Sequence, residues 1–401
     1  MTRGHGAHPA RATRWIIATC IAAGRCAGSA PANAAPPLGA DAPLPWRATT
    51  SSPSPGQPRT DSSALFATCG AYDATLTQVA SRIALRQVRG EGLAPPEELS
   101  FLMRASGQPH VWPRAFSVEG GLDDDDLALR LTRWSKAVTS QGERRCGLAQ
   151  WHKADGTRLV AAVAVDAIAD LDPLPTLVRP GQWLTATGRM LVPVHEAKVV
   201  LLGPRGLPRA AVATVDDRGR FRSTFSLDKP GKWLVQVLAT TATGPRPVLE
   251  AYVFAADAPP TRFIAQPAPG EDAERGPGDA TSAMRRMMDA ARATEGLSPL
   301  APDATLDQLA REHAARMVAA KTLGHDVGGG DPGARMRDAG LRAQAAGENV
   351  AVAATVARAH RALWSSPSHR GNLLDGRFKR AGVAVTTGDD GRAWVAVLFA
   401  D

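Results

Sequence analysis

Along the last 120 residues, apolar positions follow a helical period and then switch to a period of two. Met284, Met287, Met288, Ala291 and Leu297 fall on one stripe. Leu306, Leu309, Ala310, His313, Ala314 and Met317 form a second, with Pro302-Asp303 as a start signal. A third helix is predicted from Thr355 to Trp364, stopped by Pro367. Beyond it Ala381-Gly-Val-Ala-Val-Thr and Ala393-Trp-Val-Ala-Val-Leu-Phe alternate on either side of a Gly-Asp-Asp-Gly turn at 388–391, the pattern of a hairpin. With a short strand near Asn349-Val350 to pair with it, residues 281–401 read as an α+β domain with α-β-α layering.

Residues 172–256 carry no long helical period. Short apolar segments such as Ala197-Lys-Val-Val-Leu-Leu and Gly231-Lys-Trp-Leu-Val-Gln-Val-Leu recur between turns rich in Gly, Pro and Asp, which predicts a small all-β sandwich. The run Lys229-Pro-Gly-Lys-Trp resembles the turn of bacterial immunoglobulin-like modules. No polar residues cluster along this segment, so a spacer or adhesion role is expected of it.

Residues 65–171 echo the C-terminal segment. Leu76, Val79, Ala80 and Ile83 follow the spacing of Leu306, Leu309, Ala310 and His313, and Met103-Arg-Ala-Ser-Gly follows Met336-Arg-Asp-Ala-Gly. Arg145-Cys-Gly-Leu-Ala-Gln mirrors Arg380-Ala-Gly-Val-Ala-Val. This α+β segment is therefore expected to be a degenerate copy of the last domain, without its Glu348-Asn349 and His369 segments. Asp123 to Asp126 read as a helix start, since acids favour that end of the helix dipole.

Two stretches read as linkers: residues 35–64, rich in Pro, Ser and Thr, and residues 257–280, where Pro, Gly and acids cluster. Residues 1–34 have the form of an export signal, with Arg3, Arg11 and Arg14 before a short apolar run and Ala32-Asn33-Ala34 at the cleavage position. That run is too short to span a bilayer, and a lipid anchor on Cys20 or Cys26 is the second choice. Removing the signal takes away four arginines, so the formal charge falls from +8 to +4 and nucleic acid is not an expected partner. Cys69 and Cys146 are then the two cysteines left, and in an oxidising compartment they are expected to form one disulfide.

The chemistry concentrates in Leu323-Gly-His-Asp, Gly347-Glu-Asn-Val and Trp364-Ser-Ser-Pro-Ser-His-Arg-Gly-Asn. His325, Glu348 and His369 could hold a divalent metal such as Zn²⁺ with one position open. Glu348 could equally be a buried clamp on Arg335 or Arg342, with Asn349 capping a loop. A serine–histidine pair drawn from Ser365, Ser366 or Ser368 with His369 is the weaker option. His313 and His360, inside helices, read as surface or helix-satisfied residues, and Trp364 as core.

In order and spacing these fragments resemble the bacterial branch of the CAP superfamily, which includes cysteine-rich secretory proteins, antigen 5 and pathogenesis-related proteins of plants. The resemblance covers 281–401. It implies an α-β-α sandwich with a large cleft, in which His325, Glu348 and His369 match three of four cleft residues. The fourth, a glutamate after the helix tryptophan, has no match, because Trp364 is followed by Ser365, Ser366 and Pro367. The resemblance fixes fold better than activity. Three functions stay open. The first is binding of a small ligand or envelope component, with room for a divalent metal, by an exported protein. The second is metal-assisted hydrolysis of peptide or ester bonds, and the third a structural or adhesion role with a vestigial cleft.

Overall fold

The computed structural model describes residues 44–51, 65, 68–137, 140–153, 155–242 and 244–401. The export signal, both of its cysteines and the rest of the first linker lie outside these residues. The described chain forms two compact units that meet in sequence at Gln266 and Pro267.

In the first unit a four-stranded sheet is built from β1 (Ala71–Tyr72), β2 (Arg114–Gly120), β3 (Glu143–His152) and β4 (Arg158–Ala167), in the order β1-β3-β4-β2. Strand β1 runs parallel to β3, and the other pairs are antiparallel. Helix α1 (Ala74–Val88) starts at Asp73, whose carboxylate accepts the Leu76 amide, and buries Leu76, Val79, Ala80 and Ile83. Helix α2 (Pro96–Ala105) follows, and Asp123 caps α3 (Asp124–Lys136), so the acidic run is a helix start as expected.

A second sheet of eight strands comprises β5 (Ala169–Leu171), β6 (Leu177–Val178), β7 (Trp183–Met190), β8 (Glu196–Leu202), β9 (Arg209–Val215), β10 (Arg220–Ser226), β11 (Gly231–Thr241) and β12 (Gly244–Ala255). The sequence suggested a sandwich of two sheets. Instead β9 pairs with both β10 and β8, so one continuous sheet of order β5-β7-β10-β9-β8-β11-β12-β6 curves around a single core. Phe221, Phe225 and Leu184 from one half meet Val199, Trp233 and Val235 from the other.

Both supposed linkers contain packed chain. Within 35–64, Leu44, Thr49 and Ser51 are buried. Thr49 and Leu174 exchange backbone hydrogen bonds, and Trp46 donates its indole N–H to Pro260 O while its ring meets Phe101 and Phe254 edge-on. Within 257–280, Phe263 packs on Phe101, and Ala268 is buried in the second unit. Pro-rich composition predicts little regular structure, but it does not prevent a segment from burying one aromatic ring and pairing a few amides.

The second unit repeats the first sheet with β13 (Ala301–Pro302), β14 (Ala346–Ala353), β15 (Arg380–Thr387) and β16 (Ala393–Ala400), in the order β13-β15-β16-β14. Helices α4 (Ala280–Thr294), α7 (Val356–Ser365) and α8 (Pro367–Leu374) share a core with Val383, Val395, Val397 and Phe399. Helix α5 (Ala304–Ala320) packs against β15 and β16, and α6 (Pro332–Asp338) follows it. Pro367 does end α7, but it also occupies the first turn of α8, where its missing N–H has no helical partner to lose.

Cys69 and Cys146 are bonded, with Cα atoms 5.8 Å apart across 77 residues of sequence, as the cysteine count implied. Replacing both with Ser should lower the stability of the first unit by about 4 kcal/mol, read as an earlier denaturant midpoint. An unchanged midpoint would show that the bond constrains nothing.

His110 is fully buried, and burial together with Arg145 and Arg104 holds its pKa down at about 3. His313 and His360 are also lowered, chiefly by burial. In each case the folded pKa lies below the unfolded value near 6.5, so the unfolded chain binds more protons as pH falls. Stability should therefore drop between about pH 6.5 and 5, before the carboxylates titrate, by up to about 1.4 kcal/mol per pH unit per histidine. Calorimetric scans across that window would reveal it, and a flat profile would contradict it.

Candidate functional site

The centre of the C-terminal domain is the Glu348 carboxylate on β14. Strand alternation sends Glu348 and Asn349 to opposite faces of the sheet. Glu348 lies opposite Leu398, and Asn349 opposite Val397, which belongs to the α4–α7–α8 core. Gly347 precedes them because a Cβ there would come within 3.0 Å of Phe378 and 3.3 Å of Asn372.

Glu348 is 1% exposed, and both its oxygens are engaged. Oε1 accepts from His325 Nδ1 at 2.7 Å, and Oε2 from the Arg335 guanidinium at 2.6 Å. The same arginine nitrogen donates to His325 O at 3.1 Å, so Arg335 holds both the carboxylate and the loop that carries the imidazole. Of the two clamps foreseen, Arg335 is the partner, while Arg342 is exposed.

A further histidine belongs here. His313 on α5 is 1% exposed, bonds Gly324 O through Nε2 at 2.9 Å, and places that nitrogen 3.7 Å from Glu348 Oε1. Its sequence signal was its place on the buried stripe of the helix. His313 thus ties down the loop just before His325, whose own imidazole turns to the carboxylate. His360, likewise buried, bonds Pro269 O and is structural.

These partners fix the tautomers. An ionised carboxylate and a backbone carbonyl only accept. His325 therefore donates from Nδ1 and carries its lone pair on Nε2, and His313 donates from Nε2.

On the other face Asn349 donates to His369 O at 2.9 Å, and Asn372 donates to Asn349 Oδ1 at 2.9 Å and to Glu348 O at 3.2 Å. Asn349 thus anchors α8 to the edge strand rather than capping a loop. His369 is 1% exposed. The structure joins His325 to Glu348 directly, and His369 to Asn349 through its main chain. Among the described residues no group of three or more His, Cys, Asp or Glu side chains is arranged to hold a metal ion. Glu348 suits metal ligation poorly, since a cation already occupies Oε2. Ser365 donates its hydroxyl to Arg361 O, and those of Ser366 and Ser368 lie 3.5 Å apart, in local contacts of the α7–α8 junction. Trp364 is buried as expected, with the Arg370 guanidinium 4.4 Å above its ring. An open depression of about 400 Å³ lies elsewhere, lined by Arg285, Asp289, Asp307 and Arg311.

The sequence pattern of the CAP, cysteine-rich secretory protein family matches residues 285–399. The C-terminal domain is a CAP domain. Similar solved structures include an outer surface protein from Borrelia burgdorferi, 23% identical, covering 30% of this chain and 92% of that one, TM-score 0.29. An extracellular protein containing an SCP domain from Bacillus anthracis is 16% identical over 58% of this chain and 86% of its own, TM-score 0.28. A cysteine-rich secretory protein from Staphylococcus aureus is 9% identical over 58% and 83%, TM-score 0.26. No curated protein matches the chain. No helix among the described residues is long and apolar enough to cross a membrane.

Removing one member of a buried ion pair strands the other. Glu348→Ala should destabilise the C-terminal domain by about 3–5 kcal/mol, and Glu348→Gln, which keeps an acceptor, by less. Chemical denaturation of the two variants would show this order, and equal, small losses would contradict it.

Proposed function

We propose that this is an exported CAP-domain protein that binds a small ligand or envelope component at His325, with Glu348 and Arg335 orienting the imidazole. One observation carries the reading: the carboxylate commits His325 Nδ1 as donor and makes Nε2 the acceptor. His325 is also the most exposed of the three predicted residues, at 8% against 1% for Glu348 and His369. A carboxylate behind a histidine is the usual way to fix an imidazole for ligation. A divalent metal, in this reading, meets His325 at Nε2 with Glu348 behind the ring, while His369 belongs to the opposite face of the sheet. The Cys69–Cys146 disulfide fits an oxidising compartment. Burial of Glu348 and His369 favours the second reading, a scaffold with a vestigial cleft.

We further propose that residues 65–171 are a degenerate copy of this domain. The two sheets share strand order and strand direction. In both, a helix capped by Asp (Asp73, Asp303) crosses a strand glycine, Gly147 or Gly382. A Cβ on either glycine would sit 2.0 Å from the backbone of Leu76 or Leu306. Strand register then pairs positions without reference to side chains: Ala115 lies opposite Val163 as Glu348 lies opposite Leu398. Ile83 stands where His313 does. The first copy has apolar residues at both positions and, among the described residues, no helix between α3 and β3.

Calorimetric titration of Zn²⁺ into the mature protein, with a hydrolase screen alongside, tests the binding reading. Saturable binding abolished in His325→Ala, weakened about 10–100-fold in Glu348→Gln, and without turnover, is expected. Turnover lost in His325→Ala would favour the hydrolase. No binding of Zn²⁺ or of envelope extracts by any variant would favour the scaffold.

A further inference from the structure

The eight-stranded sheet has one covered outer half and one open one. On the covered half, Glu250 of β12 accepts from the buried Arg104 of α2, and Tyr252 and Phe254 lie against Trp46. On the other half, β7, β10, β9 and β8 show their outer side chains to solvent. Register places these residues in rows. Arg189 stands between Asp170 and Arg220, Arg222 between Thr187 and Thr214, Thr185 beside Thr224, and Lys198 pairs with Val212. Trp183 ends the β7 column, opposite Ser226, and is 71% exposed, while Val212 is 86% exposed.

Arg189 and Arg220 are thus directly opposed across two strands, an arrangement that costs stability unless an anion intervenes. Arg220 has Asp172 at 3.2 Å. Among the described residues Arg189 and Arg222 have no acidic partner within ion-pair distance. Residues 172–256 hold 11 Lys or Arg against 6 Asp or Glu, and Glu250 and Asp228 are spent on Arg104 and Arg209. None of this shows as a cluster in sequence, because the arginines come from two strands more than thirty residues apart.

We propose that this open face binds an anionic polysaccharide. Arg189, Arg220 and Arg222 supply bidentate donors for carboxylate or sulfate groups. The threonine rows supply hydroxyls matched to a sugar chain, and Trp183 offers a flat apolar surface for a ring. From Trp183 to Arg189 the track runs about 20 Å at strand rise, room for several sugar units.

The test uses the mature chain with dextran sulfate as probe, uncharged dextran as control, and phosphatidylglycerol vesicles as a competing anionic surface. Binding of dextran sulfate that weakens steeply with salt is expected. It should fall at least tenfold in Arg189→Glu/Arg222→Glu and severalfold in Trp183→Ala, with unfolding midpoints unchanged. Wild-type affinity in the arginine double variant would overturn the proposal. So would equal binding of uncharged dextran, or vesicle binding equal to dextran sulfate binding and indifferent to Trp183→Ala.

Discussion

A carboxylate with 1% exposure cannot stay ionised without partners, and Glu348 organises the C-terminal domain around that requirement. Arg335 answers it from α6, and His325 answers it from the loop after α5. His313 holds the same loop at Gly324, and Arg335 holds it again at His325 O. Thus α5, the following loop, α6 and the edge strand β14 are joined through one side chain. The same contacts leave His325 with a defined orientation, which a solvent-facing imidazole would lack.

The first unit builds a sheet of the same strand order without such a carboxylate. Leu76, Val79, Ala80 and Ile83 of α1 pack with Leu159, Ala161, Val163 and Val165 of β4 in an apolar core, with Ala115 of β2 against it. On the other face Cys69 bonds Cys146 beside Leu65, Leu127 and Leu131. A covalent staple thus ties that core to the sheet, the usual remedy for a small core.

Much of this was legible in the chain. The helical stripes at 284–291 and 306–317 and the closing hairpin came directly from periodicity, and the order of Gly-His-Asp, Gly-Glu-Asn and Ser-His-Arg fragments pointed to the C-terminal family. Other features were hidden for specific reasons. The partnership of Glu348 with Arg335 rather than Arg342 depends on which helix face meets the edge strand. The burial of His313 was present in the stripe, yet its link to Gly324 needed the path of the following loop. The opposite orientations of Glu348 and Asn349 follow from strand alternation once Glu348 is placed within β14. The packed portions of the two Pro-rich segments rest on single residues, Trp46 and Phe263, which composition averages away.

The Glu348 carboxylate and the Gly324 carbonyl dictate which nitrogen of His325 and of His313 carries the proton. Long-range ¹⁵N–¹H correlation of the ring nitrogens at about pH 7.5, with His325 and His313 assigned by substitution, reads this directly. His325 is expected to be protonated on Nδ1 and His313 on Nε2, with the His325 preference lost in Glu348→Ala. A His325 ring protonated on Nε2 in the native protein, or one averaging between tautomers, would contradict it.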